Sequence, residues 1–201
     1  MTPVSAITGI ILAGGKSSRM GAEKALMKLD NREMIAWPLA LLKKFCSQIL
    51  ISANSSNFDH LQLEVVPDVY PNCGPMAGLH ACMLASSADD FLVISCDMPF
   101  VNETIIKQLL SLYPLNQAVI ASYKEETIPV CAYYHRSVLP LLEQELEAGL
   151  LKMKRFIDKT DHAFVHFNNP ELILRLSNIN TPEEYEQALK LLHMLEIKTD
   201  E

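Results

Sequence analysis

The chain has 201 residues, with 17 Lys and Arg against 24 Asp and Glu, and a formal net charge of −7. At 49% hydrophobic and 20% charged residues it has the make-up of a globular protein able to bury a core without staples, which excludes a disordered chain. The acidic balance and the lack of a basic block exclude nonspecific nucleic-acid binding, which needs Lys and Arg to neutralise phosphates, but a small phosphorylated ligand can still be held by local charge.

The continuous apolar run Ile7–Ala13 predicts a strand buried on both faces of a parallel sheet. A helix is expected over Met34–Phe45, strands over Gln48–Ala53 and Leu63–Val66, and a helix over Met76–Ala85. Phe91–Ser95 reads as another buried strand, and Asn102–Leu112 as a helix with Asn102 as N-cap. The pattern then changes to two strands, Ala118–Ser122 and Pro129–His135, around a polar turn at Tyr123–Thr127. Val138–Ala148 is a helix closed by Gly149 in a left-handed cap. Lys152–Lys159 reads as a short helix and Ala163–Phe167 as an edge or late strand. Thr181-Pro182-Glu183-Glu184 combines an N-cap Thr, Pro at N1 and Glu at N3, so a helix should run from Pro182 to about Leu195. The β-α-β alternation of the first 110 residues predicts an α/β domain with a mostly parallel sheet, whose ligands sit beyond the carboxyl ends of the strands.

The residues expected at those ends carry chemistry. The first strand runs into Gly14-Gly15-Lys16-Ser17-Ser18-Arg19-Met20-Gly21, with Lys24 soon after. Glycines admit backbone N–H groups close to an anion, and Arg19 and Lys24 add positive charge, the combination a triphosphate requires. A plain strand-to-helix turn would need only one glycine. The P-loop pattern fails because its first glycine would fall on Ile10, and the dinucleotide pattern G-x-G-x-x-G fails because the glycines are adjacent. Phe91–Ser95 leads into Cys96-Asp97-Met98-Pro99, which places Asp97 either as an oxygen ligand for Mg²⁺ or as a turn cap. Asp68 follows the third strand, and Ser52 and Asn54 follow the second. Gly74-Pro75-Met76-Ala77-Gly78 opens a helix whose first amides lack partners within it.

Together these segments resemble the molybdenum cofactor guanylyltransferase family, within the nucleotidyltransferases that share L-A-G-G-x-x-x-R-M-G-x-x-K. The match is Leu12-Ala13-Gly14-Gly15-Lys16-Ser17-Ser18-Arg19-Met20-Gly21-Ala22-Glu23-Lys24, continued through Gly74–Gly78, Cys96–Pro99, Pro129-Val130-Cys131-Ala132 and Asn178-Ile179-Asn180-Thr181-Pro182-Glu183-Glu184. The resemblance spans nearly the whole chain. It implies a single domain over 1–201, a three-layer α/β/α sandwich on a Rossmann-like, mostly parallel sheet with one or more late antiparallel strands. Residues 1–110 would bind nucleotide and 111–201 would receive the cofactor. The implied reaction is transfer of GMP from GTP to a molybdopterin-type molybdenum cofactor, with release of pyrophosphate and with Mg²⁺ as cofactor.

In that carry-over Gly14, Gly15, Arg19 and Lys24 cradle the triphosphate, and Leu12 and Ala13 lie against the nucleoside. Asp68 and the Gly74–Gly78 turn, with Gly78, serve the base and ribose end, and Asp97 binds Mg²⁺ with Asn180 beside it. Arg19, Lys24 and Asp97 are the expected catalytic residues. The family often carries N-A-N after the second strand. Here the first position is Ser52, while Asn54 is retained.

Such a reaction needs no nucleophilic Ser, Cys or His, because the pterin phosphate is already an anion. Lys152, Lys154 and Arg155 would meet either the cofactor's phosphate or an acidic carrier, or else form a solvated helix face. His162 and His166 lie on an expected strand, where the i,i+4 spacing does not converge on a metal, and Trp37 is expected in the core. Competing readings are a cytidylyltransferase acting on the same pterin, another small-molecule nucleotidyltransferase, and a binding protein without turnover. Five cysteines without C-x-x-C spacing, and no signal-like or membrane-length apolar run, make a reduced cytoplasmic protein the expectation. Its partners would be GTP, the pterin, and cofactor-delivery or acceptor proteins, with neither nucleic acid nor membrane.

Overall fold

The structure, a computed structural model, describes residues 7–14, 24–55 and 57–197. The apolar run forms β1 (Thr8–Leu12), buried at every position. After a short 3₁₀ turn at Lys24–Leu26 comes a two-stranded hairpin, β2 (Lys28–Leu29) with β3 (Arg32–Glu33). Sequence reading missed this hairpin, although Asp30 and Asn31 signal it: both adopt positive φ, 49° and 62°, as a two-residue hairpin turn requires. α1 (Ala36–Leu42) precedes β4 (Gln48–Ser52) and β5 (Glu64–Val66). α2 (Pro75–Ala85) leads to β6 (Asp90–Ser95), and α3 (Glu103–Leu110) begins at Asn102, whose side chain accepts from Ile105 N at 3.1 Å as its cap pattern predicts.

The second half opens with β7 (Ala118–Tyr123) and β8 (Glu126–His135), longer than expected because the turn between them shrinks to two residues, with Lys124 at φ 50°. α4 (Leu139–Glu147) stops at Gly149, at φ 67°. α5 (Met153–Ile157), β9 (His162–His166), α6 (Pro170–Arg175) and α7 (Pro182–Ile197) complete the chain, α6 being unforeseen. The Thr181 capping box forms as read: Glu184 N donates to Thr181 Oγ1 at 3.2 Å, and Thr181 N to Glu184 Oε2 at 3.1 Å.

One seven-stranded sheet, ordered β5-β4-β1-β6-β8-β7-β9, draws on both halves of the chain. All its strands run one way except β8, which is antiparallel to both neighbours, β6 and β7. The reversed strand therefore lies inside the sheet, and the parallel β9 forms the edge. Alternation along the strands separates two cores. Ile11, Ile51, Leu92, Ile94 and Val119 face α1, α3 and α6, while Ile10, Leu50, Val93, Ile120 and Ala132 face α2, α4 and α5. The result is a three-layer α/β/α sandwich. A third, smaller cluster joins α7 to the hairpin region through Leu29, Met34, Phe100, Ile179, Ala188 and Leu192. Trp37 departs from its expected place: it is only half-buried beside this cluster, with the Arg32 guanidinium 4.6 Å over its ring. Among the described residues, no helix is long and apolar enough to cross a membrane.

Candidate active site

The ladder continues past the strand ends, which places the following residues side by side. Ala13 N donates to Ser52 O at 2.9 Å, Ala53 N to Val66 O at 3.2 Å and Cys96 N to Leu12 O at 3.0 Å. The carboxyl ends of β5, β4, β1 and β6 thus form one rim, with β1 at the point where successive connections diverge to either side. A cavity of about 480 Å³ opens there, lined by Leu12, Ala13, Gly14, Ser52, Asn54 and Asp68 among the residues expected from sequence.

Asn54 and Asp68 lock each other across the rim. Asn54 Nδ2 donates to Asp68 Oδ2 at 2.9 Å, and Asp68 N donates to Asn54 Oδ1 at 2.8 Å. The pair fixes the loops after β4 and β5 and keeps both side chains at the cavity wall. Ser52, Ser55 and Asn72 add polar groups, the usual sparse set that orients a ligand in a concave site. Asn72 sits at φ 63° in the turn before α2, a conformation Asn tolerates better than most residues. Gly74 follows at φ 64° and ψ −149°, a region open in practice only to glycine, and so swings the chain into α2 with Pro75 at N1. Val130 carried no sequence signal as a lining residue. It reaches the wall because β8 breaks register there: Ile120 pairs with Ala132 but Ala121 with Ile128, leaving residues 129–131 unmatched against β7.

Lys24, Asp97 and Asn180 converge at the next position along the rim, two residues beyond the cavity-lining Ser95. Lys24 Nζ lies 2.8 Å from Asp97 Oδ2 and donates to Asn180 Oδ1 at 2.7 Å. Both charged side chains are only 15% exposed. Ile179 N donates to Asp97 O at 2.9 Å, which stitches the loop before α7 to the turn after β6. Asp97 Oδ1 is buried and has no hydrogen-bond partner among the described residues. A buried anionic oxygen without a donor is costly unless a cation meets it in the working state.

Two expected site residues, Gly15 and Arg19, lie outside the described residues. Gly78 is placed inside α2 rather than on the cavity wall: a Cβ there would come 2.2 Å from Ser52 Oγ and 3.0 Å from Leu12 Cδ2. Its small size lets the helix close on two residues that do line the cavity. The basic cluster of Lys152, Lys154 and Arg155 is exposed, and Arg155 Nε donates to the buried Glu145 Oε2 at 3.0 Å while Lys159 Nζ meets Oε1 at 2.5 Å. His162 and His166 do not converge, bonding to Thr160 O and Ser122 Oγ respectively. Burial pushes the Cys46, Cys82 and Cys131 thiols up to about 12, a poor state for thiolate chemistry.

The model of a MobA-like NTP transferase domain matches residues 9–163. A Clostridium perfringens (strain 13 / Type A) protein named probable molybdenum cofactor guanylyltransferase is 33% identical over 187 residues, spanning 90% of this chain and 94% of its own. A Vibrio vulnificus (strain YJ016) protein named molybdenum cofactor guanylyltransferase is 34% identical over 183 residues, spanning 89% and 92%. In fold, the crystal structure of molybdopterin-guanine dinucleotide biosynthesis protein A from Archaeoglobus fulgidus superposes with a TM-score of 0.80 at 22% identity, over 93% of this chain and 99% of that one.

Proposed function

The chain belongs to the MobA-like NTP transferase family and is a nucleotidyltransferase; from that premise we propose that it transfers GMP from GTP to a molybdopterin-type molybdenum cofactor. The observation that carries the reading is the junction of Lys24, Asp97 and Asn180 beside a polar-rimmed cavity at the carboxyl edge of the sheet. The cavity, with the Asn54–Asp68 pair, takes the nucleoside, and Lys24 faces the phosphates.

In the reaction a phosphate oxygen of the pterin forms a bond to the α-phosphorus of GTP, and the bond from that phosphorus to the bridging β-oxygen breaks. Pyrophosphate leaves with the electron pair. The attacking phosphate is already anionic, so positioning and charge stabilisation account for the acceleration rather than a general base. The Lys24 ammonium is placed to meet charge building on the leaving group. Gly14, two residues past β1, lies at the cavity wall without a side chain, leaving its backbone open to a phosphate or ribose. Ser52 stands where the family often has Asn, and its hydroxyl packs against Gly78 of α2, which leaves Asn54 as the side chain of that strand end facing the nucleoside.

Mg²⁺ would supply positive charge shared between Asp97 and the phosphate oxygens. The donor set fits: Asp97 Oδ1 is a buried, unpartnered anionic oxygen, and Asn180 Oδ1 lies within reach of the same ammonium as Asp97 Oδ2. Asp97 and Asn180 would hold the ion, a sparse protein donor set of the kind Mg²⁺ commonly takes when it binds beside substrate phosphates.

Calorimetric titration of GTP, CTP and ATP with Mg²⁺ and the purified pterin tests the reading. GTP should bind most tightly and should weaken in Lys24→Ala. Preference for CTP would move the substrate to the cytidylyl branch, and binding of none of the three would overturn the proposal.

A further inference from the structure

We propose that Glu184 is a positioning residue for the catalytic junction, acting through the backbone of Asn180; this rests on the roles proposed for Lys24, Asp97 and Asn180. A capping box needs the Glu carboxylate to accept only from the N-cap amide, here Thr181 N at 3.1 Å. The same Oε2 also accepts from Asn180 N at 2.5 Å, the shorter of the two bonds and one that capping of the helix does not require. Asn180 is the residue whose Oδ1 meets Lys24 Nζ at 2.7 Å.

The loop is thereby held at two consecutive residues by two different elements. Ile179 N is fixed to Asp97 O at 2.9 Å and Asn180 N to Glu184, so the Asn180 side chain projects from a backbone with little freedom. The next residue of α7 secures the other partner's segment: Tyr185 OH donates to Lys28 O at 2.5 Å, four residues beyond Lys24. Ile179 and Leu192 pack with Leu29 and Met34 in the cluster beneath. The first turn of α7 therefore ties together chain segments that share no strand pairing, and it does so beside the junction. Small misplacement of a ligand-bearing side chain carries a large penalty in rate, which makes this turn a part of the site's geometry.

Three variants separate positioning from helix stability. Glu184→Ala removes both accepted bonds. Thr181→Ala removes only the Glu184 N bond that caps α7 and leaves Asn180 N held. Glu184→Gln keeps an oxygen able to accept both amides. Each is measured for thermal stability, for kcat and KM with GTP, and for binding of Mn²⁺ alone by the paramagnetic resonance signal of the free ion. Glu184→Ala should lower kcat and Mn²⁺ affinity ~10–100-fold with little change in KM, the range typical of groups that orient metal-site residues. Thr181→Ala should lose comparable thermal stability while keeping kcat and Mn²⁺ affinity, and Glu184→Gln should retain most of both. Glu184→Asp, which withdraws the oxygen without removing charge, replaces Glu184→Ala if that variant does not fold and should show the same fall.

Unchanged Mn²⁺ affinity in Glu184→Ala, equal damage in Thr181→Ala, failure of the Gln variant to rescue, or no Mn²⁺ binding by the wild type would each overturn the proposal. Absence of nucleotidyl transfer by the wild type would sink the proposed reaction instead, and the Mn²⁺ comparison would still decide the role of Glu184.

Discussion

Lys24 Nζ and Asp97 Oδ2 are 2.8 Å apart although 73 positions separate them in the chain, and Asn180 Oδ1 lies on the same ammonium at 2.7 Å. The ammonium rests between the two residues assigned to the metal side of the site, so it holds them together while its charge opposes a cation on the free Asp97 Oδ1. Substitution on each side of the pair should therefore have opposite effects on metal binding. Asp97→Ala should fold, lose Mn²⁺ binding, and lose turnover by ~10²-fold or more. Lys24→Met should lose turnover similarly but bind Mn²⁺ alone at least as tightly as the wild type, since a fixed positive charge beside the site is gone. Metal titration of the two purified variants checks this, and near-normal turnover of Asp97→Ala in Mg²⁺ would remove Asp97 from the site.

Gly78 sets how closely α2 approaches β4 and β1. With an alanine Cβ 2.2 Å from Ser52 Oγ and 3.1 Å from Ser52 Cβ, one of the two elements must shift. Gly78→Ala should destabilise the protein by ~1–2 kcal/mol, the cost of overpacking less the helix-propensity gain of alanine. Because Ser52 and Leu12 line the cavity, GTP binding should weaken as well. Ser52→Ala in the same chain should recover much of the stability, and chemical denaturation of the single and double variants measures that coupling.

Glu145 gives the fold an acid-sensitive joint between α4 and α5. Its carboxylate is buried, and the hydrogen bond from Lys159 holds its pKa below the ordinary 4.5 against the opposing effect of burial, with Arg155 adding to the lowering. A carboxylate with a lowered native pKa binds fewer protons folded than unfolded. Its contribution is therefore complete above the ordinary value and is lost as pH falls through the native one. Melting temperatures of the wild type and Glu145→Gln should differ most at neutral pH and converge as pH falls from the ordinary carboxylate value through the lowered native one. A constant difference across that range would show that the joint is not electrostatic.

Much of the local structure could be read directly from short stretches of residues. The unbroken apolar run of β1, the Asn102 cap, the Gly149 stop and the Thr181–Glu184 box each depend on groups within a few residues of one another, so their physics is complete in the sequence. The glycine-rich start and Asp97 stood out for the same reason: a hydrophobic strand followed by small or acidic residues identifies a sheet edge. Leu12, Ala13, Gly14, Ser52, Asn54 and Asp68 were all readable as strand-end residues, and all line the cavity.

What tertiary structure alone decided concerns partners far apart in the chain. The place of the reversed β8 inside the sheet, and the break in register that brings Val130 to the cavity, follow from how strands compete for neighbours, which side-chain periodicity does not encode. Arg155 is exposed, as a solvated helix face would have it, yet its guanidinium reaches a buried Glu145, because α5 folds back on α4. The junction of Lys24, Asp97 and Asn180 spans 156 positions and exists only when α7 docks beside the strand ends. Chain order sets which residues reach the edge of the sheet, and packing among distant elements sets which of them touch.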